Sequence, residues 1–171
     1  METWDAIRAR RNVRRFADRP IASEDLDRIL DAGRRSPSSM NEQRWDFIVV
    51  TDRQVLPELA KVWRHAQHVA TSAATIAMIA PDSEDQDTRG SIEFDLGQAS
   101  MSMMIAAADV GIGSGHAAVA DQDLARKILG HPQDRRCALL IALGYAADRP
   151  LAPLKRPNRR PFDDVVHRER W

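Results

Sequence analysis

The chain has 171 residues, of which 43% are hydrophobic and 29% charged, an ordinary globular composition with enough apolar side chains for a core. Its 25 basic and 25 acidic side chains balance, so no net charge favours nucleic acid or an anionic membrane surface. The single cysteine, Cys137, excludes an intrachain disulfide and a cysteine-based zinc site. We expect one domain over residues 1–171 and a cytoplasmic protein, because no apolar signal region and no bilayer-length apolar run is visible.

The first part of the chain predicts two helices. Residues 4–11 form the first, with Thr3 as its N-cap and with Trp4, Ile7 and Ala6 facing inward. Ser23 is expected to cap the second, because acidic side chains follow it in the first turn and an apolar stripe comes after them.

A polar segment, residues 36–45, follows the second helix and is predicted to be a loop. Pro37 fixes one φ angle and removes a hydrogen-bond donor, and serine and asparagine bond readily to nearby backbone. The segment offers donors and acceptors that suit a flat ligand with a heteroatom edge better than a metal or a bare phosphate. The residues concerned are Ser38, Ser39, Asn41 and Gln43. A segment that only caps and turns would have the same composition, so the residue types leave both interpretations open.

The middle of the chain alternates between strands and helices. Residues 47–50 and 75–80 are apolar runs typical of buried strands, and Asp52 is expected to cap a helix between them. Residues 82–90 predict a polar loop. Residues 91–110 predict the strongest helix, which is apolar on several sides and therefore buried.

The last part predicts a turn, a helix, a strand and an arm. Residues 111–115 hold three glycines after a helix, which favours a cap and turn over the dinucleotide fingerprint that follows a strand. A helix should run from Asp121 to Gly130, and residues 137–143 should form a third strand. From residue 149 recurrent prolines indicate an extended arm, for which a partner subunit is a natural docking surface. The fold class is α+β (mixed α/β), a small central sheet flanked by helices.

Arginines concentrate near both ends of the chain. Arg10, Arg11 and Arg14 stand where a helix end meets an irregular segment, and Arg159 and Arg160 lie in the arm. A guanidinium group can grip phosphate oxygens in bidentate fashion, so either cluster could bind a phosphate. A solvated basic surface is the alternative that residue types leave open.

Other kinds of chemistry find little support in the sequence. No Gly-x-Ser-x-Gly nucleophile elbow is present, so a serine hydrolase is not predicted. His65 and His68 lie three residues apart, but no third metal ligand accompanies them. We interpret them as an exposed helix face and expect no metal site.

Five segments together resemble the FMN-dependent nitroreductase family, in order and in spacing, over essentially the full length of the chain. They are R-R-N-V-R-R-F at 10–16, P-S-S-M-N-E-Q-R-W-D-F at 37–47, D-L-G at 95–97 with the helix that ends G-I-G-S at 111–114, A-L-G-Y at 142–145 and R-R-P-F at 159–162. The Pro-Ser-Ser-x-Asn-x-Gln part is the most specific of these.

The resemblance implies a nitroreductase-like fold and a homodimer with two FMN sites at the subunit interface, the C-terminal arm packing on the partner subunit. Positions for the FMN phosphate and ribityl chain match Arg10, Arg11, Asn12, Arg14 and Arg159. Positions around the isoalloxazine ring match Pro37, Ser38, Ser39, Asn41, Gln43, Ala117 and Ala118. Asn12 replaces a serine usual in the family, and Arg44 a proline.

By the same resemblance the chain is expected to be an oxidoreductase that uses NAD(P)H to reduce a nitroaromatic or quinone by a ping-pong mechanism. No residue stands out as a catalytic acid or base, although Arg44 or His116 could serve if either reaches the ring. A non-catalytic flavin carrier or sensor, and a family member with a dedicated substrate such as a dehalogenase or an azoline oxidase, stay open as alternatives.

Overall fold

The computed structural model describes residues 1–171 and contains five α-helices around one four-stranded sheet. The helices are α1 Thr3–Ala9, α2 Ser23–Arg34, α3 Val55–Leu59, α4 Gln86–Asp109 and α5 Gln122–Leu129. The strands are β1 Asp46–Val50, β2 Ala74–Pro81, β3 Gly113–Ala117 and β4 Arg135–Gly144. The predicted α+β class, with a small sheet flanked by helices, is confirmed.

The sheet has the order β1-β2-β4-β3, and every neighbouring pair is antiparallel. An apolar cluster of 15 buried residues covers the face toward α2 and α4, and one of 14 covers the face toward α3 and α5. Because the sheet is buried on both faces, its two central strands, β2 and β4, are almost continuously apolar rather than alternating. This is why both were recognisable from the sequence. The strand predicted at residues 47–50 is also confirmed, as β1, but it is a half-buried edge strand rather than a buried one.

The turn predicted over residues 111–115 is confirmed only at its start, where Gly111 follows α4 with a φ of +77°. It is wrong from Gly113 onward, because strand β3 begins there. Its backbone pairs with β4, with Gly115 opposite Ala142. Its other side contacts the arginine-rich segment, residues 10–17, whose Val13 N–H donates to Ser114 O at 2.8 Å. A Cβ at Gly115 would clash with the Val13 carbonyl oxygen. Gly115 therefore serves close approach between two backbones, and at Gly113 an added Cβ would instead meet the Val13 side chain.

Helix α4 begins at Gln86, five residues before the predicted start. Asp85 caps it, since its carboxylate accepts from the Thr88 N–H at 2.8 Å, so the predicted loop over residues 82–90 is wrong in its second half. The middle of α4 is buried as predicted. Phe94 and Met101 point outward from it, 70% and 38% exposed.

Helix α1 differs from its prediction in both length and orientation. Ala6 is buried as expected, together with Ala9, whereas Trp4 and Ile7 are 66% and 37% exposed, so the expected inward face is wrong for the two large side chains. Small side chains let the helix lie close to its neighbours, and the large apolar side chains are left on its outer surface. Ser23 is the first residue of α2 rather than its cap.

The predictions for α5 and for the cysteine are confirmed. Asp121 caps α5 by accepting from the Leu124 N–H, and Gly130 closes it with a φ of +71°. Cys137 is fully buried in β4, and burial raises the pKa of its thiol to about 12, which keeps the thiol protonated and unreactive. None of the helices combines the length and apolarity that crossing a bilayer requires.

The arm after residue 149 contains no α-helix or strand, only a 3-10 turn at Phe162–Asp164. Its first part stays close to α1, because the Leu154 N–H donates to Arg8 O at 3.2 Å. Phe162 and Trp171 are 65% and 99% exposed. Its docking on a partner subunit stays a prediction.

Candidate functional site

The arginine-rich segment, residues 10–17, runs between strand β3 and the root of the C-terminal arm. On one side, Val13 bonds to Ser114 of β3. On the other, the Ala147 N–H donates to Arg15 O at 2.9 Å and the Ala17 N–H to Tyr145 O at 2.8 Å. The fold thereby brings residues from the two ends of the chain together, as one shared ligand would require.

Arg10 and Arg159 line the same cavity, of about 500 Å³, although 148 residues of chain lie between them. The other lining residues are Trp4, Ile7, Arg8, Met101, Leu154, Lys155 and Pro157. No carboxylate is among them, and Arg10, Lys155 and Arg159 form no ion pair within the chain. A cavity with uncompensated cations and an apolar wall suits an anionic ligand that also has apolar surface.

Arg11 is turned away from this cavity. Its guanidinium donates to the Asp148 carboxylate at 2.7 Å and to Arg149 O at 2.9 Å, and its side chain is only 14% exposed. A role for Arg11 at the phosphate stays a prediction, but the contacts within this chain assign it to the root of the arm.

The pair of Arg11 and Asp148 makes a pH-dependent prediction. The hydrogen bond from Arg11 lowers the pKa of Asp148 from 3.8 to about 2. Because the folded-state pKa lies below the unfolded one, the stabilisation is present above pH 3.8 and is lost as the pH falls through about 2. In Arg11→Ala, carbon-detected NMR titration should show the Asp148 pKa rising toward 3.8, whereas Arg8→Ala should leave it low. An unchanged Asp148 pKa in Arg11→Ala would contradict the assigned contact.

Arg14 lies against two histidines and has no carboxylate partner. Its Nη1 is 3.1 Å from each ring nitrogen of His68 and donates to His116 O at 3.1 Å. His68 is buried, not part of the exposed face predicted for it. Burial, then the Arg14 charge, lowers the pKa of His68, so at neutral pH an unprotonated ring nitrogen can accept from Arg14. Burial, then Arg10 and Arg14, also lowers the pKa of His116, whose buried Nε2 has no partner.

The polar loop of residues 36–45 lies against α4 in a second concavity, of about 400 Å³. Its lining residues are Pro37, Ser38, Ser39, Ser91, Phe94, Asp95 and Gln98. The buried Asp95 carboxylate accepts the Ser39 N–H at 3.1 and 3.0 Å. Met40, Asn41 and Gln43 all have positive φ, which is unusual for residues other than glycine.

The remaining predicted residues are dispersed. Asn12 is exposed and its Oδ1 lies 3.5 Å from Arg10 Nη1; Ala117 is buried in β3, and Ala118 is exposed just after it. Gln43 bonds to Asn41 within the loop and lines a groove of about 570 Å³ between α2 and β1. Arg44 forms an ion pair with Glu42. The predicted residues thus form separate groups within one chain.

An exposed face of α4 connects the arginine cavity with the loop concavity. A shallow depression of about 490 Å³ along this face includes Met101, which also lines the arginine cavity, and Phe94 and Gln98, which also line the loop concavity. The two groups of predicted ligand residues therefore border one continuous helix surface.

Comparison with known proteins identifies the family. The model of the Nitroreductase family matches residues 7–73 and 59–145, which include the arginine-rich segment, the polar loop and β3. The chain belongs to the nitroreductase family. A relative from Archaeoglobus fulgidus, named "Putative NADH dehydrogenase/NAD(P)H nitroreductase", is 31% identical over 174 residues, 99% of each chain.

Solved structures of nitroreductases share the fold. A protein of the same name from Parabacteroides distasonis superposes with a TM-score of 0.82 at 27% identity, covering 100% of this chain and 99% of its own. A Clostridium difficile protein named FMN-dependent nitroreductase superposes with a TM-score of 0.84 at 22% identity over 97% of this chain and 98% of its own. The nitroreductase-like architecture expected from the sequence is confirmed.

Two residues of the site were not recognised from the sequence. Asp95 was noted only as part of a motif. It lies in a largely apolar helix and has no basic residue three or four positions away, a pattern that indicates a carboxylate with a partner elsewhere in the chain. His68 offered no such signal, because its partner Arg14 is 54 residues distant.

Proposed function

We propose that this nitroreductase-family protein is an NAD(P)H-dependent oxidoreductase that holds FMN with Arg10 and Arg159 and reduces a small aromatic acceptor, a nitroaromatic or a quinone. The observation that carries the proposal is the cavity shared by Arg10 and Arg159, which contains unpaired cations and no carboxylate. The family and the names of the relatives support the reaction class.

The residues present fit FMN in two respects. Arg10, Lys155 and Arg159 supply charged donors to a phosphate, and guanidinium groups match phosphate oxygens in bidentate fashion. The Ser38 and Ser39 hydroxyl groups line the loop concavity, and Asn41 follows them in the same loop. Together they offer the mixed donors and acceptors that the polar edge of a flavin requires.

The proposal includes a homodimer. Within one chain the arginine cavity and the polar loop border opposite parts of the α4 face, which exposes Phe94 and Met101. A second copy packed on this face would cover apolar surface and could place one chain's loop over the other chain's cavity. In this arrangement the basic, aromatic C-terminal arm would also pack on the partner.

When bound, FMN supplies the redox chemistry by taking hydride from NAD(P)H and passing the electrons to an acceptor that then occupies the same cleft. The residues of this chain would bind the cofactor and orient it. Arg14, which has no carboxylate partner and is held by hydrogen bonds to the His68 ring and to His116 O, would supply positive charge to the phosphate and ribityl part of the ligand. We assign no acid or base.

The absorption spectrum of the purified protein tests the proposal. We expect a flavin spectrum, or uptake of added FMN to about one per chain, followed by bleaching with NAD(P)H and reoxidation by a quinone faster than by air. A protein that takes up no FMN would contradict the proposal. One that binds FMN but is not reduced by either nucleotide would instead be a flavin carrier or sensor.

A further inference from the structure

We propose that Asp95 is a positioning residue: its buried carboxylate holds the strained polar loop in the shape that the FMN site requires. This deepens the proposed function and rests on it for the ligand, but the contact itself is independent of any ligand. Asp95 lies on α4 and is 3% exposed. Both of its oxygens face the Ser39 N–H, at 3.1 and 3.0 Å.

The loop needs an external anchor because its backbone is strained. Met40, Asn41 and Gln43 have φ of 51°, 57° and 51°, the left-handed region that side chains with a Cβ disfavour. Such conformations persist only where surrounding contacts fix them. Within the loop, the Gln43 N–H donates to Ser38 Oγ at 3.0 Å and the Gln43 side chain donates to Asn41 O at 3.1 Å.

These internal bonds tie the loop to itself but not to the rest of the protein. The two ends of the segment are held by other contacts, because Ser36 Oγ donates to Ser102 Oγ of α4 at 2.9 Å and Trp45 is buried in the core. Its centre is not, since Met40 is 89% exposed and does not anchor it by burial. Asp95 joins the loop to the middle of the longest helix. A carboxylate with no cationic partner is costly to bury, and its retention here indicates a role beyond packing.

The position of this anchor matters for the site. Asp95 lines the same concavity as Pro37, Ser38 and Ser39, the residues proposed to face the flavin ring. It belongs to the same helix as Met101, which lines the arginine cavity. Asp95 therefore fixes the position of the loop on α4, the helix that borders both parts of the site.

Amide hydrogen exchange and limited trypsin digestion test the anchor directly. In the wild type, the Ser39 amide should exchange slowly. In Asp95→Ala it should exchange at least about tenfold faster, and cleavage after Arg44 should accelerate by a similar factor, because the loop opens locally. Asp95→Asn retains one acceptor oxygen and should be intermediate. Ser100→Ala is the matched control, since Ser100 is equally buried on α4 but bonds only to Gly97 O of its own helix.

Affinity for FMN separates this inference from the proposed function. We expect Asp95→Ala to bind FMN about tenfold more weakly, and Ser100→Ala to bind it as the wild type does. If neither the wild type nor any variant binds FMN, the proposed function fails. Amide exchange and trypsin digestion still test the contact between Asp95 and Ser39. Wild-type exchange at Ser39 in Asp95→Ala would overturn the inference. If that variant does not fold, rapid Ser39 exchange in the wild type would overturn it, and slow exchange accelerated in Asp95→Asn would support it.

Discussion

Replacing Arg10 or Arg159 with alanine should weaken FMN binding by about 10- to 100-fold for each residue. The estimate follows from the roughly 1.5–3 kcal/mol that a hydrogen bond to a charged group contributes, at about 1.4 kcal/mol for each factor of ten. Both side chains line a cavity that contains no carboxylate, so neither charge is neutralised within the cavity. Each substitution therefore removes a charge that is available to the phosphate. Titration of flavin fluorescence against protein concentration gives the dissociation constants.

The neighbouring arginines are matched controls for this prediction. Arg11 donates to the Asp148 carboxylate and does not line the cavity. Arg160 does not line it either, although, like Arg159, it donates one N–H to a backbone carbonyl at 2.7 Å. Arg11→Ala and Arg160→Ala should therefore leave the FMN dissociation constant within about twofold of wild type, although Arg11→Ala should lower the melting temperature. Equal losses in all four variants would mean that general positive charge, rather than a defined phosphate site, determines affinity.

The double variant Arg10→Ala/Arg159→Ala tests whether the two residues act on one group. If both contact the same phosphate, their effects should depart from additivity by about 0.5 kcal/mol or more. Strict additivity would place them at separate parts of the ligand. In either case the cavity of about 500 Å³ would still contain the binding site.

The parts of the fold that could be predicted were those whose neighbouring residues favour a single secondary structure. Asp121 and Gly130 bracket α5 because a side-chain acceptor begins a helix and a left-handed glycine ends it, and both devices are local. The apolar runs of β2 and β4 were equally clear, because a strand buried on both faces has no polar alternation to obscure it.

The parts that failed depend on contacts between distant segments. Gly113 and Gly115 predict a turn locally, yet they form β3 because Val13 approaches their backbone from another part of the chain. Arg11 and Arg10 are adjacent and chemically identical, and only the position of Asp148 distinguishes them. The candidate site shows the same division: the residue types of the polar loop were recognised, whereas its anchor Asp95 required knowledge of which helix lies beside it.

Gly115→Ala should be the most destabilising single-methyl addition at the site, lowering the free energy of unfolding by about 3 kcal/mol, the upper end of the usual range for overpacking. The new Cβ would overlap the Val13 carbonyl oxygen, which cannot move without breaking the contact between the arginine-rich segment and β3. It would also lie 3.2 Å from His68 Cδ2, leaving no space on the other side. For a chain of this size the expected fall in melting temperature is about 5–15 °C, measured by circular dichroism.

Gly90→Ala is the control with the opposite sign. Gly90 lies inside α4 with no atom within 4 Å of an added Cβ, so alanine there should stabilise the protein by about 0.5–1 kcal/mol through helix propensity alone. A Gly115→Ala protein as stable as the wild type would mean that Val13 does not approach β3 as described.

If instead Gly115→Ala folds at reduced stability, its FMN affinity should fall as well, because displacing Val13 also displaces Arg14 from His68 and His116. Loss of stability without loss of affinity would separate the β3 contact from the ligand site and remove Arg14 from the proposed binding residues.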